Sequence, residues 1–332
     1  MIIDVHTRIW LTADQLGPAL AARLRSGEQE IWRQTDATPG AHAQAMICAE
    51  ASILLGFRSE LLDARIPDEY IASHVAADPR RRYGTAGIDP LAPDALDQID
   101  RAVALGLCGI SIAPAAQGCH PAHSRAMAVY ERCIELNLPV FVAEFDPMPA
   151  PALLEFARPM LFDEVARSFP DLRLVFGRMG HPFVDETLTL LAKHRNIRAD
   201  LSGIVSRPWQ LYHVLQLASG MGVMNRLLFG SGFPFENPAK AIETLYSINS
   251  LVQGTPLPAV PRAHVRAIVE RDALDALGLT PAGGPPYPPE SAAARPGKSH
   301  QPGSEEQPLS ATLSAPEASP AGNGERRGAS DE

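Results

Sequence analysis

His6 and Arg8 stand two residues apart behind the run Met1-Ile2-Ile3-Asp4-Val5, and Arg178 and His181 stand three apart in Gly177-Arg178-Met179-Gly180-His181-Pro182. An imidazole changes charge close to neutral pH and is the usual side chain for carrying a proton. A guanidinium stays charged and presents a planar fork of donors that fits a carboxylate or a phosphate. Together the four side chains could move a proton beside a bound anion. Each also has a plainer reading. His6 can be a hydrogen-bonded core residue, and Arg8 and Arg178 can be ion-paired to Glu144 or Asp146, as buried arginines usually are. His181 sits before Pro182, where capping a helix or packing a loop would serve as well. Glu144 and Asp146 flank Phe145. On an extended segment they point the same way and can perturb each other for acid/base work, or they form an Asp-Pro turn beside a salt-bridged glutamate.

Three other groups are weaker. His120 and His123 form an HxxH beside Cys119, which could be a metal site. Pro121 interrupts it and no carboxylate is near, so it falls short of the ligands zinc takes. Ser124 reads more simply as the N-cap of the next helix. Ser231 lies in Gly-Ser-Gly and lacks the surroundings of a nucleophile elbow.

These residues fall at the ends of short apolar runs. The strands predicted are Ile2–Val5, Ser52–Phe57, Arg82–Ile88, Gly109–Ile112, Val140–Ala143, Leu172–Phe176, Ile197–Leu201 and Arg226–Phe229. Apolar on both faces, they read as strands of a buried parallel sheet. Helical patterns lie between them: Asp94–Leu105, Ser124–Leu136, Pro151–Phe169, Pro182–His194, Pro208–Ala218, Pro238–Leu251 and Pro261–Leu277, the last stopped by Gly278. Eight alternating units in residues 1–280 fit a closed (β/α)₈ TIM barrel, an α/β fold. A doubly wound open sheet is the rival, but no GxGxxG follows any strand. An insertion over about 11–38 is expected to cover part of the barrel mouth. In such barrels chemistry sits at the carboxyl ends of strands. His6 and Arg8 follow the first strand, Glu144 the fifth, and Arg178 and His181 the sixth.

The whole chain of 332 residues is 45% hydrophobic with a formal charge of −9. That balance argues against a nucleic-acid binder and against attachment to anionic membranes. The four cysteines form no CxxC pair, and the first residues lack a signal-peptide pattern, so a reduced, cytoplasmic protein is expected. Ten prolines fall in residues 281–332, with four Lys/Arg against seven Asp/Glu. Such a segment buries too little to offset the entropy of ordering and reads as a disordered tail. A homo-oligomer is compatible with all of this.

Several stretches resemble the amidohydrolase-related family, the decarboxylase and lactonase branch of the amidohydrolase superfamily. Ile2-Ile3-Asp4-Val5-His6 is similar to its first strand, which normally continues to His-x-His. Phe169 to Val175 resembles the lead-in to its sixth strand. Gly177 to Pro182, with Asp185 and Glu186, resembles its Gly-His-x-Gly-His-Pro stretch. Asn196 to Ser202 resembles its Asn-x-x-x-Asp-x-Ser strand, and Leu228 to Pro234 its Phe-Gly-Ser-Asp-x-Pro ending. The likeness runs over residues 1–279 and implies an amidohydrolase-type barrel with a hydrolase or decarboxylase activity.

The resemblance also implies a divalent metal such as zinc, held by both histidines of the first strand, one after strand five, sometimes one after strand six, and the aspartate after strand eight. Here those positions are His6, Arg8, Ala143, Arg178 and Gly232. A guanidinium has no lone pair to give, and alanine and glycine have no donor. One imidazole falls short of the three protein ligands typical of a catalytic zinc. No metal cofactor is therefore expected. A family site with one M²⁺ and one aspartate carries about +1, and Arg8, Arg178 and Glu144 sum to the same charge. Two guanidinium groups would then bind a small carboxylate-bearing substrate and stabilise a developing oxyanion, with His6 or His181 moving the proton. The alternative is a member that has lost catalysis and serves as a binding or partner subunit.

Overall fold

The computed structural model describes residues 1–26 and 35–279, all within one unit, Met1–Tyr287. The tail expected over 281–332 lies outside the described residues. Strand β1 (Ile3–Thr7) pairs in parallel with β2 (Ala51–Leu54), and β2 pairs with the first half of β3 (Arg82–Gly84). Thr85 interrupts β3, and its second half, Ala86–Gly87, pairs with β4 (Ile110–Ile112). The parallel order continues through β5 (Val140–Val142), β6 (Leu174–Phe176), β7 (Ile197–Asp200) and β8 (Leu227–Leu228). The sheet then returns to its start. Val5 N–H donates to the Phe229 carbonyl at 3.0 Å, Gly232 N–H to the His6 carbonyl at 2.9 Å, and Thr7 bridges to Phe233. This is the expected (β/α)₈ barrel.

Side-chain alternation along the strands separates two apolar layers. Val5, Ile53, Tyr83, Phe141, Val175 and Leu228 meet inside the barrel, and Leu274, Leu277 and Leu279 join that inner cluster. Val140, Val142, Leu174, Phe176 and Ile110 face outward against the helices. A strand with partners on both faces has to be apolar on both faces, which is why these runs lack polar alternation. Burying one such Leu, Ile or Phe contributes about 1.5–3 kcal/mol relative to exposure.

Helices fill the gaps between strands, with differences from the sequence reading. Ala95–Ala104 buries Ala95, Ile99 and Ala102 but leaves Leu96 and Val103 exposed. The helix expected over Pro151–Phe169 is broken into Leu154–Ala157, Pro159–Phe162 and Asp163–Ser168, because Pro159 denies an N–H to the preceding turn. The helix expected over Pro182–His194 starts only at Val184. Pro208 and Pro238 do open their helices. Pro261–Leu277 splits into Arg262–Val269 and Ala273–Ala276, where Asp272 accepts from Asp275 N–H and caps a new start. A helix at Asp68–Ala76 between β2 and β3 had no counterpart in the sequence reading.

The insertion carries a short turn at Ala13–Leu16 and a helix at Pro18–Ser26, and Leu16 and Leu20 anchor it in the outer core. Among the described residues, no helix is long and apolar enough to cross a membrane.

Candidate functional site

His6 ends β1 almost fully buried, at 1% exposure. Its Nδ1 lies 3.0 Å from Oδ2 of Asp200, which closes β7. The other oxygen of Asp200 is fully engaged. Oδ1 accepts from Arg178 N–H at 3.1 Å and from Ser202 N–H at 2.9 Å, and it also takes the Ser202 hydroxyl. Burial works against the Asp200 charge, but His6 and these donors outweigh it and hold the carboxyl below its usual range. His6 is shifted down by burial, with Asp200 opposing and Arg8 and Arg178 adding to the shift. Its Nε2 has no partner. Behind it Asp4 accepts from His6 N–H at 3.2 Å and Ser231 N–H at 2.9 Å, tying β1 to the loop after β8. Burial raises the Asp4 carboxyl to about 7.

Arg8 is buried at 2% exposure. One Nη2–H donates to the Ala143 carbonyl, and the guanidinium carbon lies 4.2 Å from the centre of the Phe145 ring. Nε and Nη1 are buried without partners. Burial lowers the group to about 9, with Arg178 adding and Glu144 and Asp200 opposing, so it remains a cation at neutral pH.

Arg178 approaches Asp146 only at 4.0 Å, and its buried Nε has no partner. Arg178 and Met179 take left-handed backbone angles, φ 56° and 54°, ahead of Gly180 at φ 64°. Two consecutive non-glycine residues in that region are strained, at about 1–3 kcal/mol each. The turn sends the Arg178 side chain over Gly203, where a Cβ would stand 2.9 Å from Nη1. Gly177 leaves similar room for His6: a Cβ there would stand 2.7 Å from Cε1.

Glu144 and Asp146 part company. Glu144 accepts from Ala115 N–H at 2.6 Å and Ala116 N–H at 3.4 Å. Burial raises it to about 7 against those two donors and the Arg8 charge. Asp146 receives Nη2–H of Arg207, and Arg207 Nη1–H donates to His181 Nε2 at 2.8 Å. His181 Nδ1 faces Asp146 at 3.5 Å. The lone pair of His181 is thus committed to Arg207, so this ring is a loop anchor at the rim. The structure brings His6, Arg8 and Arg178 together in the barrel mouth, where Glu144 acts on Arg8 and Arg178 on His181 through their charges without an ion pair.

The HxxH pair does not converge on a common centre. His120 Nδ1 accepts from Ala122 N–H at 3.1 Å, and His123 Nδ1 accepts from Arg125 N–H at 3.2 Å. His123, not Ser124, caps the helix Ser124–Glu135. The Ser231 hydroxyl accepts from Phe233 N–H at 3.0 Å and shapes the last loop.

Arg207 and Phe145 were not singled out from the sequence as site residues, and Asp200 and Ser202 entered only as the Asp and Ser of the Asn-x-x-x-Asp-x-Ser resemblance, with no role given to either. For Asp200 a signal was present: one acidic residue closing the otherwise apolar Ala199-Asp200-Leu201 must be paired where it is buried.

The amidohydrolase family profile matches residues 3–279. The chain belongs to the amidohydrolase family. No curated protein sequence matches it. Among solved structures this amidohydrolase is similar to an uncharacterized TIM-barrel protein from Bordetella bronchiseptica, at 18% identity and a TM-score of 0.65 over 83% of this chain and 98% of the other. It is similar to a probable 2-pyrone-4,6-dicarboxylic acid hydrolase from Acinetobacter baumannii with citric acid bound, at 13% identity and 0.57 over 84% and 99%. It is also similar to a 5-carboxyvanillate decarboxylase from Novosphingobium aromaticivorans complexed with manganese and 4-hydroxy-3-methoxy-5-nitrobenzoic acid, at 12% identity and 0.62 over 84% and 96%. At such identities the likeness is one of fold.

The manganese in that decarboxylase poses the question of fit. In this amidohydrolase His6 Nε2 is an open donor, but Arg8, Ala143, Arg178 and Gly232 stand at the other positions. Among the described residues no three His, Cys, Asp or Glu side chains are grouped to hold an ion. Two buried guanidinium groups beside His6 would also repel a dication. The donor set does not fit a divalent metal.

Proposed function

We propose that this chain is a hydrolase or decarboxylase of a small carboxylate-bearing molecule, in which two guanidinium groups take the place of a divalent metal. One observation carries the reading: His6 Nε2, Arg8 Nε and Nη1, and Arg178 Nε are all buried in one barrel mouth without hydrogen-bond partners among the described residues. Leaving a buried polar group unpaired costs about 1–3 kcal/mol, more when it is charged. A fold tolerates several together where a bound group satisfies them. A carboxylate has the right sign and enough lone pairs for two arginines. The ligands named for the neighbours, citric acid and a nitrobenzoic acid, support the same class.

In this reading Arg8 and Arg178 bind the substrate's acid group and stabilise charge on an oxygen of the reacting centre. His6 carries the proton at Nε2. Glu144, poised near neutrality by burial, tempers the excess positive charge beside Arg8. His181 keeps Arg207 and Asp146 in place at the rim. A binding or partner subunit is the second reading, favoured by the near-complete burial of His6 and Arg8.

Thermal-shift titration with citrate, benzoate and acetate tests the proposal. A carboxylate at about 100 times its Kd stabilises by about 2.7 kcal/mol. The shift is expected in the wild type and lost in Arg8→Ala and Arg178→Ala. No response to any of the three acids overturns the proposal.

A further inference from the structure

His6 leaves one nitrogen free and binds Asp200 with the other. The carboxylate that holds it is fixed from every side. Asp200 is fully buried, and its Oδ1 takes three donors: Arg178 N–H, Ser202 N–H and the Ser202 hydroxyl. Only Oδ2 remains, and it faces His6 Nδ1. An anionic carboxylate oxygen accepts hydrogen bonds and donates none, so Nδ1 must carry the hydrogen. The neutral ring then keeps its lone pair on Nε2, which is buried without a hydrogen-bond partner among the described residues and feels the charges of Arg8 and Arg178. Gly177 allows the ring to lie there, since any Cβ at that position would collide with Cε1.

We propose that Asp200 is a positioning residue that locks His6 in its Nδ1–H tautomer and so makes Nε2 the proton acceptor of the site. This rests on the reading of the barrel mouth as a reaction site for a carboxylate-bearing molecule. The arrangement gives the site a base whose direction and protonation are set before any ligand arrives. It also explains why a carboxylate is kept inside the sheet at the end of β7, where a leucine would pack without needing four hydrogen bonds. Proton transfer at Nε2 leaves an imidazolium between Asp200 and the ligand, and the Asp200 charge stabilises that cation.

The same geometry fixes what an amide would do. In Asp200→Asn the three donors at Oδ1 still require an oxygen there. The amide NH₂ must then occupy the place of Oδ2 and donate to His6 Nδ1. The ring is forced into the opposite tautomer, with hydrogen on Nε2 and no lone pair toward the ligand.

Long-range ¹H–¹⁵N correlation spectra of the full chain at pH 7.5 read both states, with His6→Gln assigning the His6 signals. The expected wild-type pattern is a protonated Nδ1 and an unprotonated Nε2, inverted in Asp200→Asn. Ser202→Ala, a milder change, is expected to keep the wild-type pattern. A wild-type His6 with hydrogen on Nε2, or on both nitrogens, overturns the proposal even if Asp200→Asn fails to fold. So does an Asp200→Asn protein with the wild-type pattern. The outcome is separable from the carboxylate titration: an Nδ1–H tautomer with no carboxylate response sinks the anion reading alone, and a carboxylate response with the wrong tautomer sinks the role of Asp200 alone.

Discussion

The guanidinium carbon of Arg8 sits over the Phe145 ring, 4.2 Å from its centre, and that ring packs edge-on against Phe57 at 4.7 Å. Arg8 is therefore held by an aromatic face and one backbone carbonyl, and among the described residues no carboxylate lies within ion-pair distance of it. A desolvated cation on an aromatic face gains about 2 kcal/mol. That is small against the several kcal/mol it takes to bury an ion. The balance is unfavourable for folding, which is the usual sign that a charge is kept for a ligand.

Arg8→Met is accordingly expected to hold or raise the stability of the free protein, by about 1–3 kcal/mol in the favourable case. The same variant loses the carboxylate response. Urea denaturation with and without citrate measures both. A loss of more than about 2 kcal/mol in the free variant would show that Arg8 serves the fold instead.

Arg178→Gly makes a related case through the backbone. The residue sits at φ 56°, where glycine pays no steric cost. Relief of that strain is expected to offset the lost contact to Asp146 and leave stability equal to or about 1 kcal/mol above wild type. Carboxylate stabilisation disappears because the second cation is gone. Destabilisation with intact carboxylate binding would contradict both halves.

Much of this architecture was legible because it is written in local pattern. Strands such as Val140–Val142 and Leu174–Phe176 are short apolar runs spaced by helices, the pattern of parallel strands buried on both faces. The arginines at positions 8 and 178 were visible as cations at strand ends. What pattern could not supply was partnership across the barrel. Asp200 meets His6 across 194 positions, and only barrel closure brings them within 3.0 Å. Glu144 and Asp146 show the opposite limit: their sequence proximity leaves both a mutually perturbing pair and an Asp-Pro turn beside a salt-bridged glutamate open, and only the structure shows one turning to the amides of Ala115 and Ala116 and the other to Arg207. The breaks at Pro159 and Asp272 were missed because apolar spacing continues across them while the backbone does not.

Gly203→Ala tests the seat of Arg178. The glycine has φ 67°, and a Cβ would stand 2.9 Å from Arg178 Nη1. The substitution is expected to cost about 1–2 kcal/mol in backbone strain. It also pushes the guanidinium from its place, so citrate affinity should fall at least tenfold, an effect beyond simple destabilisation. Isothermal titration at a temperature where the variant is fully folded separates the two. Unchanged affinity would mean that Arg178 does not reach the ligand.

The last expectation concerns acid. Thr7 Oγ1 donates to the Ile53 carbonyl at 2.8 Å, so His42 Nε2, at 3.2 Å, must donate to Thr7. His42 Nδ1 then accepts from His74 Nε2 at 3.0 Å, and Arg82 Nη1 faces His74 Nδ1 at 3.4 Å. Every lone pair in this chain is used, so both rings are neutral. Burial lowers His42 to about 3, with His74 and Arg82 adding to the shift. Burial and Arg82 lower His74 to about 4 against the pull of Asp78. Both values lie below the unfolded imidazole, near 6.5. Between that value and the folded ones the unfolded chain binds protons that the folded chain refuses, so stability falls as pH drops, by up to about 1.4 kcal/mol per pH unit for each ring. Asp4 and Glu144, raised to about 7, act in the opposite direction over an overlapping range, which a comparison with the variant subtracts. Denaturation midpoints of wild type and His42→Gln/His74→Gln from pH 7 to 4.5 should therefore diverge, with the wild type losing stability more steeply. Parallel slopes would mean that the two rings take up protons as readily in the folded chain as in the unfolded one.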